Sequence, residues 1–325
     1  MEKIKLGKSE LEVSRLAFGC MGLGGASWNK EDLLTKGDEL VAIRAVETAL
    51  EQGINFFDHA DIYKGGKSEQ AFSSIWEANL VDRESIYLQS KCGIRFADDV
   101  FLGSAPHYDL SYDYIMKSVD DILKRLKTDY LDTLLLHRPD ALIEPEEVAR
   151  AFRELKESQK VRYFGVSNHN AAQIELLQSY LDEPLVTNQL ELSLVQSNLI
   201  DEGLNVNSLV NPGDYRNHGT LEYCRLHQLT VQAWSPLAGG LLAKGEGKEP
   251  YAQLIQTIEQ YAREYGVSAE AIMIAWVLRH PAQIQPVVGT KTPDRLKAVC
   301  EATQITLTKE QWYRLYNSGL GKVLL

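Results

Sequence analysis

Short apolar runs alternate with amphipathic segments along the whole chain. Runs rich in β-branched and aromatic residues predict eight strands, at 15–19, 54–58, 85–91, 132–137, 161–167, 185–190, 229–235 and 284–289. The segments that follow have apolar residues at helical spacing and predict helices at 38–53, 68–78, 111–127, 144–160, 170–181, 219–228, 251–266 and 292–302. Nearly continuous apolar strands separated by helices indicate a parallel sheet that is covered on its outer side.

At 325 residues, a closed barrel is the most economical way to arrange eight such units. Residues 3–14 lie outside the repeat and predict a β-hairpin cap below the barrel, and 308–320 predict an extra C-terminal helix. An open doubly wound sheet is the alternative, but its glycine-rich turn would need a glycine where Ser27 stands. Because no linker divides the chain, we expect one domain over 1–325, a TIM (β/α)8 barrel with both additions.

Charge and cysteine content narrow the function classes. The formal net charge of −11 argues against binding to nucleic acid or to an anionic membrane. The four cysteines are far apart, without zinc-finger spacing, and are expected to be reduced thiols. The N-terminus lacks the apolar region of a signal peptide, and no apolar run is long enough for a membrane span. A cytoplasmic location is therefore expected.

Polar residues stand where several predicted strands end. Asp58, Lys91 and His137 close strands two, three and four, and Tyr63 follows Asp58 in the next loop. Active sites of closed α/β barrels lie at this end of the strands. Each residue alone could have a structural role, such as a solvated lysine or a core histidine, but their convergence favours an active site.

The combination of these four side chains suits proton donation to an oxygen. A buried Lys91 ammonium needs a counter-ion, which Asp58 on the adjacent strand can supply. The ammonium is expected to lower the pKa of Tyr63 and make it a better general acid. His137 can donate a hydrogen bond to the same substrate oxygen. A proton donor without a nucleophile is typical of carbonyl reduction.

A metal site is the alternative interpretation of the same segment. It would use Asp58, His59, Asp61 and His137. Neighbouring residues of a strand point to opposite faces, so Asp58 and His59 cannot both face the barrel mouth. No H-x-H or H-E-x-x-H spacing is present. We therefore expect no metal, and His59 and Asp61 to lie outside the site.

The motifs together resemble those of the aldo-keto reductases, within a bacterial oxidoreductase subgroup. Asp58, Tyr63, Lys91 and His137 match the catalytic tetrad of that family. Further matching motifs are "KVRYFGVSN" at 160–168, "NQLELS" at 188–193, "AWSPLAGGLL" at 233–242 and "GTKTPDRL" at 289–296. The resemblance covers essentially the whole chain. It implies an NADP(H)-dependent barrel enzyme that reduces a carbonyl, with Tyr63 as the acid, Asp58 and Lys91 tuning it, and His137 orienting the substrate.

The resemblance also implies a set of cofactor contacts. Ser167, Asn168 and Gln189 would hold the nicotinamide carboxamide, with Trp234 stacked on the ring. The loop that carries Ser235, Leu237 and Gly239 would contact the pyrophosphate. Cys20 and Met21, after the first strand, would touch the cofactor largely through their backbone.

A 2′-phosphate is expected at the start of the last barrel helix. Lys291, Thr292 and Arg295 lie there, and two cations beside free N–H groups suit a phosphate, which favours NADP(H) over NAD(H). Arg295 could instead be one more exposed helix residue. Many relatives hold the adenine with Glu-Asn at the positions where this chain has Ala298 and Val299, so this chain departs from the family pattern there.

Substrate recognition is expected from the loops 92–110 and 198–219 and from the terminal segment. Because no fixed cation is clearly aimed at the pocket, the expected partner is a neutral small-molecule aldehyde or ketone, bound by a monomer or weak oligomer. Two other functions stay open at this point. One is a cofactor-binding redox-sensing or regulatory subunit with little turnover, and the other is a lyase or isomerase that uses Lys91 as a Schiff base.

Overall fold

The computed structural model describes residues 1–206, 219–242 and 249–319. The strands of this part are, in chain order, β1 (Lys3–Lys5), β2 (Glu12–Ser14), β3 (Ala17–Gly19), β4 (Phe56–Asp58), β5 (Tyr87–Cys92), β6 (Ile94–Arg95), β7 (His107–Tyr108), β8 (Leu131–Leu136), β9 (Val161–Ser167), β10 (Thr187–Glu191), β11 (Thr230–Trp234) and β12 (Gln285–Val288). The helices are α1 (Lys36–Glu51), α2 (Lys67–Glu77), α3 (Tyr112–Leu126), α4 (Pro145–Glu157), α5 (Ala171–Gln178), α6 (Asn198–Leu204), α7 (Thr220–His227), α8 (Ala252–Tyr265), α9 (Ala269–Leu278), α10 (Pro293–Cys300) and α11 (Lys309–Asn317).

Eight of the strands form a closed parallel barrel. Around the barrel they follow the chain order β3, β4, β5, β8, β9, β10, β11 and β12, and β12 pairs with β3 to close the ring. The barrel prediction is therefore confirmed, and the open doubly wound alternative is wrong. Parallel pairing brings the carboxyl ends of all eight strands to one mouth, which is what assembles the polar strand ends there.

The predicted hairpin lies at the opposite end of the barrel. Strands β1 and β2 are antiparallel, with Ile4 opposite Val13. Their apolar side chains form one buried cluster with Phe56, Val186 and Val287, which belong to the barrel strands. The turn residue Gly7 has a φ of +54°, and a Cβ there would lie 2.2 Å from the Val186 carbonyl oxygen. Glycine thus allows the hairpin to seal the barrel closely.

Among the described residues, two α-helices, rather than the single predicted one, lie between β11 and β12. The first, α8, corresponds to the predicted helix, whereas α9 was not predicted. Helix α9 is apolar on every side, and its residues 271–277 are all buried. A helix that is covered all round has no polar face, so the amphipathic signal that marks the other helices is absent.

The C-terminal helix α11 covers α9 from outside. The rings of Trp312 and Trp276 stack with centroids 5.0 Å apart, and each indole N–H donates to the other residue's carbonyl oxygen. This helix confirms the predicted extra element, although residue 320 of the predicted range lies outside the described residues. Within the described ranges, none of the helices has both the length and the apolar character needed to cross a bilayer.

Candidate active site

The barrel mouth brings together the side chains that the strand ends predicted. Asp58 is the last residue of β4 and is paired in register with Gln89 of β5. Lys91 lies two residues beyond Gln89, so both side chains point to the same face of the strand. Tyr63 begins a 3₁₀ turn, Tyr63–Gly66, and His137 directly follows β8.

Lys91 is the centre of the cluster, and its side chain is fully buried. Its Nζ lies 2.8 Å from Asp58 Oδ2, 2.8 Å from the carbonyl oxygen of His59 and 2.9 Å from the Tyr63 hydroxyl. An ammonium has three N–H donors, and these contacts use all of them. Burial opposes the charge, but Asp58 and Tyr63 together outweigh it and raise the pKa of Lys91. Lys91 is therefore an ammonium, whereas a Schiff-base lysine must become neutral to react.

The pKa of Tyr63 differs from the sequence-based expectation. Burial of the phenol raises this pKa more than the nearby Lys91 ammonium lowers it, so the net shift is upward. The prediction of a lowered pKa is therefore wrong for the free protein, although Lys91 does act in the predicted direction. A phenolate at this position would lose more hydration than the single ammonium returns.

The hydrogen-bond direction at Tyr63 matters more for chemistry than the size of this shift. Lys91 donates to the phenol oxygen, so the phenol's own proton is free to be donated to another group. The ring centroid of His137 lies 6.0 Å from that of Tyr63, edge to face. Burial, and then the charges of Lys91 and Arg138, lower the pKa of His137 well below its ordinary value. His137 is thus a neutral imidazole beside a protonated phenol.

The ends of β9, β10 and β11 are connected by side-chain hydrogen bonds. Ser167 Oγ donates to the Gln189 carbonyl oxygen over 2.9 Å, and Asn168 Nδ2 lies 2.8 Å from Ser167 Oγ. The indole N–H of Trp234 donates to Asn168 Oδ1 at 3.1 Å. The Gln189 amide nitrogen donates to Asp58 Oδ1 at 2.9 Å, which joins this group to the Lys91 cluster.

The residues that directly follow β9 and β11 have unusual backbone conformations. Asn168 has a φ of +60° and Ser235 a φ of +54°, both in the left-handed region that side chains other than glycine seldom occupy. Such conformations concentrate at functional sites, where the surrounding structure maintains them. After Ser235, Leu237 is half-buried and Gly239 is exposed, with a φ of +61° and open space on its Cβ side.

The loops after β3 and β12 meet at the same rim. Cys20 is buried, whereas Met21 is 49% exposed. Lys291 Nζ lies 3.3 Å from the Gly22 carbonyl oxygen, so the two loops touch. Thr292 and Arg295 are exposed at the start of α10, where Pro293 is the first helical residue. In the described part of the chain, no carboxylate forms an ion pair with Lys291 or Arg295. Val299, at one of the two positions where relatives hold the adenine, is buried in the core.

The family comparison agrees with this arrangement. The model of the Aldo/keto reductase family matches residues 15–318. The chain belongs to the aldo/keto reductase family. This aldo/keto reductase is 38% identical to the uncharacterized oxidoreductase YcsN of Bacillus subtilis and 35% identical to a 6-dehydroglucose reductase of Agrobacterium fabrum, in each case over 99% of both chains.

Solved structures support the same assignment. The thermostable aldo-keto reductase Tm1743, in complex with the inhibitor epalrestat, is 26% identical and superposes with a TM-score of 0.77 over 98% of this chain and 100% of its own. The holo form of the aldo-keto reductase AKR11C1 from Bacillus halodurans is also 26% identical, with a TM-score of 0.72 over 99% of this chain and 98% of its own.

His59 lies outside the cluster, as strand alternation predicted. Its ring packs edge-on against Phe72 of α2, with centroids 4.6 Å apart, and therefore faces the helix layer. Burial lowers the pKa of His59 to about 3, so it is neutral. Asp61 accepts a hydrogen bond from the Tyr114 hydroxyl at 3.3 Å. Among the residues placed by the structure, no group of three or more potential ligands is arranged to hold a metal ion.

Asp61 gives the aldo/keto reductase a pH-dependent stability. Its Oδ1 is buried without a hydrogen-bond partner among the described residues, and burial raises its pKa from 3.8 to about 7. A carboxyl group with a raised folded-state pKa favours the folded state at low pH. That stabilisation is lost as pH rises towards the folded-state pKa.

Replacing Asp61 by Asn should remove this loss. We expect the Asp61→Asn variant to gain about 2 kcal/mol in free energy of unfolding over wild type at about pH 8, and much less at about pH 5. Urea unfolding at both pH values measures this difference. The control is Asp113→Asn at an exposed position on α3, which should change the free energy of unfolding little at either pH. An equal effect of Asp61→Asn at both pH values would contradict the raised pKa.

The loops expected to bind substrate are only partly described. In the first, β6 and β7 form a short antiparallel pair; Tyr108 of β7 is exposed, as are Phe96 and Phe101 in the intervening segment. An ion pair between Lys30 and Asp99 connects this loop to the one after β3. Residues 207–218 of the second loop and 320–325 of the terminal segment lie outside the described residues.

Proposed function

We propose that this aldo/keto reductase reduces the carbonyl group of an aldehyde or ketone to an alcohol with NADPH. The observation that carries the proposal is the phenol of Tyr63, whose oxygen accepts a hydrogen bond from a fully buried Lys91 ammonium. This arrangement keeps the phenol proton available and stabilises the phenolate that forms when the proton leaves. In the proposed reaction Tyr63 is the proton donor to the carbonyl oxygen.

The other members of the cluster have supporting roles in the proposal. Asp58 keeps Lys91 charged and in place through its 2.8 Å contact. His137 is neutral, so one ring nitrogen can donate a hydrogen bond to the carbonyl oxygen and orient it. The raised pKa of Lys91 disfavours the Schiff-base alternative. The complete proton-donating cluster also favours an enzyme over a regulatory subunit with little turnover.

The rim residues fit a nicotinamide cofactor. Asn168 and Ser235 have strained backbones at the rim, and Trp234 is fixed there by its bond to Asn168. When bound, the reduced nicotinamide supplies the hydride. We propose that Ser167, Asn168 and Gln189 hold its carboxamide and that Trp234 stacks on its ring. The pyrophosphate is proposed to contact Ser235, Leu237 and Gly239. Cys20 and Met21 are proposed to touch the cofactor largely through their backbone.

The 2′-phosphate of NADPH is proposed to bind Lys291, Thr292 and Arg295. These residues are exposed at a helix start, and the two cations have no carboxylate partner among the described residues. A phosphate is favoured there by the free N–H groups and by charge-assisted hydrogen bonds. The Bacillus halodurans relative, whose structure is a holo form, supports cofactor binding in this fold.

Replacing both cations should remove the preference for NADPH. We expect the double variant Lys291→Ala/Arg295→Ala to bind NADPH about 100-fold more weakly and NADH with nearly unchanged affinity, because only NADPH has the 2′-phosphate. Quenching of tryptophan fluorescence measures both dissociation constants. Lys297, on the same helix but 3.6 Å from Glu51, provides the control Lys297→Ala. Equal affinity of the wild type for NADH and NADPH would contradict the assignment.

The proposed function is tested by a screen for NADPH oxidation. The purified protein should consume NADPH, followed by its absorbance, with neutral aldehydes and ketones such as 4-nitrobenzaldehyde. A sugar aldehyde belongs in the screen because the Agrobacterium relative is a 6-dehydroglucose reductase. If the protein binds NADPH but none of the carbonyl compounds oxidises it, the regulatory alternative is favoured instead.

The proposal extends to the whole protein. We propose that 1–325 form one barrel domain that acts on small molecules as a monomer or weak oligomer, without nucleic acid or membrane partners. Its four cysteines are free and buried, as in proteins of a reducing compartment, and the proposed location is the cytoplasm.

A further inference from the structure

A chain of glutamines lies inside the barrel beneath the active site. Gln89 on β5, Gln189 on β10, Gln232 on β11 and Gln285 on β12 are all at most 2% exposed. The interior of such barrels is usually filled with branched apolar side chains. A buried amide is unfavourable unless its polar atoms are hydrogen-bonded, so four of them together need a physical explanation.

Hydrogen bonds connect the four amides to Asp58. The amide nitrogens of Gln89 and Gln189 lie 2.6 Å and 2.9 Å from Asp58 Oδ1, and both also donate to Gln232 Oε1. Gln232 then donates to Gln285 over 2.9 Å, and Gln285 donates to the Ser14 carbonyl oxygen over 2.7 Å. The chain therefore runs from the hairpin, through the barrel interior, to the active-site carboxylate.

The carboxylate fixes the orientation of the two amides that touch it. A carboxylate can only accept hydrogen bonds, so Gln89 and Gln189 must present their nitrogens to Asp58. One consequence is that Gln89 Oε1 is buried with no partner among the described residues. Leaving a buried acceptor unpaired is destabilising, and apolar side chains would avoid it. The contact with Asp58 is thus maintained at the expense of stability.

Asp58 uses its two oxygens for different partners. Oδ1 accepts from the glutamines, and Oδ2 accepts from Lys91. Two donors on Oδ1 prevent the carboxylate from rotating about its Cβ–Cγ bond. Oδ2 then stays directed at Lys91, whose Nζ in turn contacts the Tyr63 hydroxyl.

We propose that Gln89 and Gln232 are positioning residues for the reaction, which act through Asp58 to hold Lys91 on Tyr63. Gln89 touches the carboxylate directly, and Gln232 orients Gln89 and Gln189 by accepting from both. This inference rests on the proposed carbonyl reduction for its catalytic meaning, but the geometry it requires can be measured separately.

The test replaces each glutamine by Met, which has a similar length and volume but no donor. We expect Gln89→Met and Gln232→Met to lower kcat for an aldehyde about tenfold, because small displacements of a catalytic group are costly in rate. The KM for the aldehyde should stay within about twofold in both variants, since neither residue is placed at the mouth. The Kd for NADPH should stay within about twofold in Gln89→Met, whereas Gln232→Met also removes an acceptor of Gln189, a proposed cofactor contact, and can weaken NADPH binding as well. In a crystal structure of Gln89→Met, the Asp58 carboxylate should rotate and the contact between Lys91 and Tyr63 should lengthen.

The matched control is Thr187→Val on β10. Thr187 is buried in the barrel and donates to the Thr230 carbonyl oxygen at 2.7 Å, and no hydrogen bond between described residues links it to Asp58. It should keep the wild-type kcat. An equal loss of kcat in this control would overturn the proposal. So would a wild-type kcat together with an unchanged Asp58 geometry in both Met variants.

If the wild type reduces no carbonyl, the proposed function fails, but the crystal structures still show whether the glutamines position Asp58 and Lys91. If Gln89→Met does not fold, Gln232→Met provides both measurements.

Discussion

Replacing Tyr63 by Phe is expected to lower kcat for aldehyde reduction by about 1000-fold, because the reaction loses its only proposed proton donor. Phe keeps the ring that packs against His137 and removes only the hydroxyl that contacts Lys91. The affinity for NADPH should therefore change little. Steady-state kinetics with 4-nitrobenzaldehyde, together with a fluorescence titration of NADPH, separates the two effects.

The control for this prediction is a tyrosine far from the cluster. Tyr180 follows α5 and is 41% exposed, so Tyr180→Phe should have wild-type kinetics. If turnover by the Tyr63→Phe variant were close to wild type, the proton would have to come from another group. A loss of NADPH binding together with turnover would instead place Tyr63 in the cofactor site.

Replacing Asp58 by Ala is expected to reduce the free energy of unfolding by about 3–5 kcal/mol, because it leaves a buried ammonium without a counter-ion. The side chains of Lys91 and Asp58 are 0% and 3% exposed, so water cannot replace the lost partner readily. The variant also removes one of the two acceptors of the Gln89 and Gln189 amide nitrogens, which keep only Gln232 Oε1. Urea unfolding measures the change, and kcat should fall as well.

A second variant separates the unpaired charge from the cavity. In Asp58→Ala/Lys91→Met no ammonium is buried, so we expect the double variant to regain a large part of the stability that Asp58→Ala loses. Its kcat should stay low, because the phenol of Tyr63 no longer has a cation beside it. If the double variant were no more stable than Asp58→Ala, the loss would come from the cavity and the amides rather than from the charge.

The local pattern of apolar and polar residues was sufficient to predict most of the fold. The strands of the barrel are continuous apolar runs, and the helices that cover them are amphipathic, so each reveals its type in a few residues. The hairpin of residues 3–14 was equally predictable from its short alternating runs around Gly7. Helix α9 was missed because residues 271–277 are buried on all sides, which removes the periodic signal.

The sequence was sufficient to predict which residues cluster at the candidate site, but not the direction in which the pKa of Tyr63 shifts there. Asp58, Lys91 and His137 stand at strand ends, and barrel topology alone brings such positions to one mouth. The pKa of Tyr63 was predicted in the wrong direction, because the expectation included the charge of Lys91 but not the burial of the phenol. Burial is the sum of contacts from several loops, and no short stretch of sequence contains it.

The glutamines show most clearly which contacts the sequence does not indicate and only the tertiary structure creates. The sequence by itself determined which strands exist, where their polar ends fall and which charges must be balanced, because these depend on residues close together in the chain. Gln89 and Gln232 are isolated polar residues within apolar strands, and nothing nearby in sequence indicates their partners. Only the register of the closed barrel, which places strands distant in sequence around one axis, brings Gln89 to Asp58 and Gln232 to Gln89 and Gln189. The proposed positioning of Lys91 on Tyr63 therefore depends on contacts that only the folded barrel creates.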